Sequence, residues 1–302
     1  MRANQPVTVA DHVDWAEQRL TQSKVHSSHG CTSLRDESIW ATLHVANLID
    51  QEYEDVHDQN LSEIESSALR ELVERRIETR KPLAYLIRES WFAGYAFYID
   101  ERAIVPRSHI GDLIQDGFGP WVNPAQIHRI LDLCTGSGCI AVSLALCFPK
   151  ASIDASDIDA DALEVARINI ERFQCNEQVR VVQSDLYDNL ATQQYDLIVS
   201  NPPYIDSSWI DSLPKEYQHE PRHAFEAGED GLDFAQRILS QSRNHLTDHG
   251  FLLMELGNSA DELEAQFPNV PFLWLTSRSG ESVVLLISAE ELKMYESEFA
   301  LP

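Results

Sequence analysis

Apolar positions along the chain follow two different rhythms. Up to about residue 88 they recur every three to four residues. Asp11 to Val25 and Asp36 to Asp50 carry this spacing, as in Ile39, Leu43, Ala46 and Ile49, and both stretches are predicted helices. Gln51 to Asn60 is polar and acidic and reads as a loop. Ser62, with Glu65 three residues later, forms a capping box. Ile64, Ala68, Leu72, Val73 and Ile77 then line one face of a helix that Pro82 stops. Residues 1–88 are therefore expected to form a small helical bundle. It carries no chemical motif, so its expected role is docking a substrate or partner.

The second rhythm begins with an aromatic stretch, Trp91 to Asp100, broken by Gly94, which predicts a β-hairpin. Pro106-Arg107-Ser108 and a short helix from Ile110 to Ile114 follow, so 89–125 reads as a joint between domains. From about Gln126 strands and helices alternate. Ile130 to Leu133, Ser152 to Ser156, Val179 to Gln183, Tyr195 to Ser200 and Phe251 to Leu256 are predicted strands. Apolar faces at 140–148, 163–173 and 232–246 predict helices. This alternation predicts an α/β fold over 126–302, with a mainly parallel sheet covered on both sides. Phe272 to Thr276 and Val283 to Ile287 are strands joined only by Ser277 to Ser282, so they must pair antiparallel.

Four places in this second region carry chemistry. Leu131-Asp132-Leu133-Cys134-Thr135-Gly136-Ser137-Gly138 sits where a strand turns into a helix. Its glycines let a ligand approach the backbone and leave amide N–H groups free. Gly136-x-Gly138-x-x-Ala141 fits the dinucleotide fingerprint, which a tight structural turn also satisfies. Asp157, followed by Ile158, closes the second strand 19 positions after Gly138. An acid there accepts from ribose hydroxyls. NAD and S-adenosylmethionine both carry a ribose, so Asp157 does not separate them. Asp185 and Leu186 end the third strand, where the carboxylate suits an adenine amine and the leucine suits its ring; an ordinary polar strand end reads the same way.

Asn201-Pro202-Pro203-Tyr204 is the most specific of the four. Neither proline has an N–H and both have a fixed φ. The Asn201 side-chain oxygen and the Pro202 carbonyl become two acceptors at the carboxyl end of a strand, where open α/β sheets bind ligands. A planar –NH2 group donates one hydrogen to each, and Tyr204 supplies an aromatic wall. A dehydrogenase explains the glycine turn and Asp157 but not this tetrapeptide.

Charge narrows the substrate. Lys and Arg total 23 and Asp and Glu total 49, a net charge of −26. Such a surface repels phosphate backbones, so no direct nucleic-acid substrate is expected, whereas a basic protein is attracted. The longest apolar run, Cys139 to Phe148, is far below the ~18 residues of a membrane span. The N-terminus lacks the apolar core of a secretory signal. Five cysteines without a CxxC pair read as reduced thiols, so a cytoplasmic location is expected. His26, His29 and Cys31 lack a fourth ligand at zinc-like spacing and read as a solvated loop, so no metal is expected.

At Asn201 to Tyr204 the sequence resembles the class I methyltransferases that act on amide or amino nitrogens. With Asp132-x-x-Thr135-Gly136-Ser137-Gly138 and the helical N-terminus, it resembles the protein-(glutamine-N5) methyltransferase family. One branch of that family modifies peptide-chain release factors and another a large-subunit ribosomal protein. Pro106-Arg107-Ser108-His109, Trp91 to Gly94, Glu216 to Pro221, Glu255-Leu256-Gly257-Asn258-Ser259 and Val270-Pro271-Phe272 are similar to the ribosomal branch. The resemblance runs from about Asp11 to Ser288. It implies a Rossmann-like sheet and S-adenosylmethionine held by Asp132, Cys134, Thr135, Gly136, Ser137, Gly138, Asp157, Ile158, Asp185, Leu186 and Asn201. It also implies catalysis at Asn201, Pro202, Pro203 and Tyr204, with N5 of a glutamine in a basic protein, large-subunit ribosomal protein three, as the acceptor. Release-factor methylation and adenine-N6 methylation are the alternatives. His109 in place of a proline, and Ser279-Gly280-Glu281-Ser282 in place of a more glycine-rich loop, depart from the pattern and bear on substrate docking.

Overall fold

The computed structural model describes residues 7–27, 29–190 and 193–301. They form two compact units. One contains the chain up to Arg88 together with Pro214–His219, and the other contains Glu89–Leu213 and the chain from Glu220 onward.

The first unit is helical: α1 (Val9–Gln22), α2 (Leu34–Val45), α3 (Tyr53–Val56), α4 (Glu63–Thr79) and α5 (Leu83–Ile87). Capping boxes start α1, through Thr8 and Asp11, and α4, through Ser62 and Glu65, satisfying amides that the first turn leaves open. Val9, Val13, Leu43 and Val56 form a shared core. Helix α2 stops five residues before the periodicity does. Asn47 adopts φ 55°, and Leu48 N–H donates to the Leu43 carbonyl at 2.9 Å, which is a Schellman ending. Ile49 still packs on the core, which is why its spacing looked helical. The acidic stretch expected to be a loop contains α3, because Val56 is an anchor with no exposure.

A buried charge cluster ties this unit together. Arg76 on α4 is 1% exposed; its Nε donates to Glu37 Oε1 at 2.6 Å and its Nη2 to the His26 carbonyl at 2.8 Å. Glu216, from the 214–219 segment, accepts from the His26 N–H at 3.1 Å and lies 3.7 Å from Arg76 Nη1. The solvated-loop reading of His26 to Cys31 fits the exposed His26 but not His29. His29 is 5% exposed, with its ring 4.5 Å from that of Tyr217, so aromatic packing holds this side chain in.

The second unit opens with the hairpin β1 (Ser90–Phe92) and β2 (Tyr95–Phe97), then α6 (Ile110–Gln115). Next come β3 (Arg129–Leu133), α7 (Cys139–Cys147), β4 (Ser152–Asp157), α8 (Ala160–Arg172), β5 (Val179–Gln183) and β6 (Tyr195–Ser200). They are followed by α9 (Ser207–Ile210), α10 (Asp233–His245), β7 (Leu246–Glu255), α11 (Ala260–Gln266), β8 (Leu273–Leu275), β9 (Val284–Ser288) and α12 (Ala289–Met294). The seven-stranded sheet has the order β5-β4-β3-β6-β7-β9-β8. Strands β5 to β7 in that order are parallel, and β9 runs antiparallel to both β7 and β8. The unit therefore has the class I, Rossmann-like α/β architecture with the expected antiparallel end. Strand β7 starts at Leu246 rather than Phe251, with a register shift where Tyr195 and Leu197 pair with it.

Both faces of the sheet are covered. Ile130 and Val199 point into one apolar core, while Leu131, Leu133 and Ile198 point into the other, the period-two alternation of a doubly covered sheet. After β3 the chain winds outward through β4 and β5, then returns to β6 on the other side of β3. That reversal opens a crevice at the strands' carboxyl ends. Among the described residues, no helix is long and apolar enough to cross a membrane.

Candidate active site

A cavity of about 380 Å³ lies over those carboxyl ends. That is the size of a small-molecule site. Of the residues singled out in the sequence, Cys134, Gly136, Asp157, Ile158, Asp185, Leu186, Asn201 and Pro203 line it. Asp132, Thr135, Ser137 and Gly138 lie off the wall. Gly138 has φ 77°, and a Cβ there would come within 3.0 Å of Ala166 Cβ, so this glycine allows α7 to approach α8 closely. Pro202 and Tyr204 are also set back from the wall. Arg102, Ile104, His223 and Phe234 line the cavity without any signal of spacing or motif.

Cys134 and Leu186 adopt left-handed backbone, φ 58° and 45°. Such conformations are strained for a side chain and cluster where ligands are held. The Cys134 thiol is no nucleophile, because burial, with Asp157 and Asp132 nearby, pushes its pKa well above the usual value.

The carboxylates set the field. Asp157 Oδ2 accepts the Gly136 N–H at 2.8 Å and Oδ1 the Asp159 N–H at 3.0 Å. Burial still raises its pKa above the ordinary value, against the pull of these two amides. Asp132 is fully buried. Its Oδ2 accepts from Thr135 Oγ1 at 2.5 Å and its Oδ1 has no partner. Burial pushes its pKa up to about 7.

A raised folded-state pKa stabilises the fold below the ordinary value of 3.8 and loses that contribution as pH rises through about 7. Asp132→Asn, which never ionises, is therefore expected to gain stability relative to wild type between pH 5 and pH 8. The gain at pH 8 is roughly 1–3 kcal/mol, the cost of a buried unsatisfied group. Denaturant unfolding of both proteins at the two pH values checks this; a difference independent of pH would refute it.

The Asn201–Tyr204 corner follows β6. Asn201 Oδ1 is buried and has no hydrogen-bond partner, a state it shares in this cavity region with Asp132 Oδ1 and one that costs free energy unless a ligand supplies a donor. Two glycines shape the back of the corner. Gly257 has φ 48°, and a Cβ there would lie 2.5 Å from Tyr204 Cε2. Gly231 has φ 76°, and a Cβ there would lie 2.6 Å from the Tyr204 carbonyl oxygen, which accepts from Ser259 Oγ at 2.8 Å. The Glu255 to Ser259 motif is thus the support on which Tyr204 rests. Glu255 itself accepts from Ser108 Oγ at 2.6 Å and the His109 N–H at 2.8 Å, and burial raises its pKa. The two departures from the family pattern face each other: His109 Nε2 is 3.8 Å from Glu281 Oε2, and its Nδ1 is 3.5 Å from Ser279 Oγ.

Comparison with known proteins gives the following matches. Residues 122–212 match the methyltransferase small domain family. A protein of Francisella tularensis subsp. tularensis (strain SCHU S4 / Schu 4), named ribosomal protein uL3 glutamine methyltransferase, is 41% identical over 293 residues. The alignment covers 97% of this chain and 93% of the relative. Proteins of the same name from Burkholderia pseudomallei (strain K96243) and Neisseria gonorrhoeae (strain ATCC 700825 / FA 1090) are 42% and 41% identical. Those alignments cover 94% and 96% of this chain and 95% and 97% of the relatives.

Proposed function

The chain belongs to the ribosomal protein uL3 glutamine methyltransferase family, and from that premise we propose that it transfers a methyl group from S-adenosylmethionine to the side-chain amide nitrogen of a glutamine in ribosomal protein uL3. The observation that carries this reading is the buried, unpartnered Asn201 Oδ1 on the wall of the strand-end cavity.

Bound S-adenosylmethionine supplies an electrophilic methyl carbon on a sulfonium, whose sulfur leaves as a neutral thioether. The cavity's own groups fit such a molecule. Asp185 Oδ1 accepts from Arg237 Nη2 at 2.8 Å, which leaves its other oxygen for an adenine amine beside Leu186. Each Asp157 oxygen keeps a lone pair for a ribose hydroxyl. Cys134 and Gly136 floor the space between these acids and Asn201.

A glutamine nitrogen is a poor nucleophile because its lone pair is delocalised into the carbonyl. Asn201 Oδ1 and the Pro202 carbonyl accept its two N–H donors and fix the plane of the amide. The nitrogen is then held close and in line, which supplies much of the acceleration. As positive charge develops on nitrogen, both acceptors bind more strongly, favouring the transition state over the ground state, and the methylated nitrogen then gives up one of its two protons to solvent water. A glutamate carboxylate has no donors for them, and a buried mismatch costs about 1–3 kcal/mol per group. The net charge of −26 draws in a basic substrate protein.

The test is labelled methyl transfer from S-adenosylmethionine into ribosomal proteins and release factors side by side, with mass spectrometry of the labelled peptide. The expected product is N5-methylglutamine in uL3; label confined to a release factor or to nucleic acid would overturn the assignment. Gly257→Ala is expected to push Tyr204 out of place and lower kcat by about 10²-fold, the scale of a 1 Å misplacement. S-adenosylhomocysteine affinity should stay within about twofold, because the three atoms nearest a Cβ at Gly257 all belong to Tyr204. Equal losses in both, by steady-state kinetics and calorimetry, would show that Gly257 supports the whole fold instead.

A further inference from the structure

We propose that Arg102 binds the carboxylate of the cofactor's amino-acid tail, which makes it the residue that selects for an intact α-amino acid. The inference rests on the cofactor placement above and adds a group that placement lacks. Across the sheet the strand tips present Asp185 and Leu186 after β5, Asp157 on β4, Gly136 after β3 and Asn201 after β6. With adenine and ribose on the first two tips, the sulfur and its tail fall at the third, beside the methyl acceptor at the fourth.

The wall at that third tip comes from outside the sheet. A Cβ on Gly136 would meet Ile104 Cγ2 at 3.8 Å, so the 102–104 segment stands directly against the glycine turn. The fully buried Asn169 of α8 locks the two together. Its Nδ2 donates to the Ser137 carbonyl at 2.8 Å and the Tyr98 carbonyl at 3.0 Å, and its Oδ1 accepts the Tyr98 N–H at 2.8 Å. Downstream, the Val105 N–H donates to Glu220 Oε1 at 2.8 Å.

Charge then assigns the role. Asp157, Asp159 and Asp185 line the cavity and suit the sulfonium and the ammonium of the tail. A carboxylate would be repelled unless a cation received it. Arg102 is the only Lys or Arg among the described residues that line the cavity. His223 also lines it, but its Nε2 lies 2.9 Å from Asp159 Oδ2 and is already paired. Arg102 Nε and Nη2 donate to Asp100 at 2.9 and 2.6 Å, and Asp100 also accepts from Tyr98 Oη at 2.7 Å. This second carboxylate fixes the guanidinium plane, and Nη1 lies outside the pair. Arginine's rigid fork allows one edge to be anchored while another receives an anion.

Calorimetry with two ligands tests this: S-adenosylhomocysteine and its decarboxylated analogue, which keeps the amine. Wild type is expected to bind S-adenosylhomocysteine roughly 10- to 100-fold more tightly, the scale of one charge-assisted contact. Arg102→Gln keeps the stem without the charge. It should lose that factor for S-adenosylhomocysteine and bind the decarboxylated analogue within about twofold of wild type; Arg102→Lys should recover most of the difference. Retained binding of the analogue also reports that the variant is folded. If Arg102→Gln discriminates between the ligands as well as wild type does, or Arg102→Lys weakens both equally, the proposal is overturned while the cofactor site stands. Wild type that binds neither ligand overturns the cavity assignment and this proposal with it.

Discussion

Replacing Asn201 with alanine is expected to lower kcat by about 10³-fold, while S-adenosylhomocysteine affinity changes by no more than about twofold. Loss of a single group aimed at developing charge costs about 10²–10³-fold in comparable sites. Asn201 carries a second burden, because it also orients the amide. Its Oδ1 is already desolvated and unpartnered, so the fold has met the cost of burying it and pays nothing further when the substrate arrives. Asn201→Asp keeps an oxygen acceptor and is expected to retain more turnover than Asn201→Ala. Single-turnover methyl transfer, set beside calorimetry on the same preparations, separates the two quantities. A parallel fall in turnover and cofactor affinity would mean that Asn201 builds the cavity rather than gripping the amide.

The largest stability effect is expected in the helical unit, at Arg76. Arg76→Ala strips Glu37 and Glu216 of a buried counter-charge, and leaving such charges unpaired costs about 3–5 kcal/mol. The loss should fall on the helical unit, since every group concerned belongs to it. Amide exchange in α2 and α4 should accelerate, while exchange in β3 and β6 should be unchanged. Uniform acceleration across both units, or none, would contradict the assignment. A whole-chain melt is a poorer readout because two units need not unfold as one. Glu216 reports the same balance. Burial pushes its pKa up, yet the backbone amides it accepts from, together with Arg76 and with Arg80, whose Nη1 lies 3.5 Å from Glu216 Oε1, outweigh that and hold it below the usual carboxylate range.

The sheet was legible because its buried parallel strands are short apolar runs and its ligand groups sit at strand tips, where helix and strand rhythms change. Asn201 to Tyr204 and Gly136 announced themselves by residue type alone. Gly138 shows the limit of that signal: it fits the fingerprint, but the structure gives it to packing against Ala166. Arg102, Ile104 and His223 were invisible because they reach the cavity from segments with no periodicity and no motif. The position of Glu216 was equally hidden, since its hydrogen bond to the His26 amide spans 190 positions of sequence. Short-range patterns cannot encode such a partnership. The acidic stretch containing α3 failed for a smaller reason: one fully buried Val56 outweighs its polar neighbours.

The interleaving of Pro214–His219 with the first 88 residues constrains how this protein can change. A single crossover near Arg88 would graft a foreign bundle onto a chain still carrying the old bundle's plug, with Glu216 matched to arginines no longer there. The two halves are thus poor cassettes for recombination. Drift in the bundle has to be answered by compensating drift in a short loop more than a hundred residues downstream, so the two must diverge together.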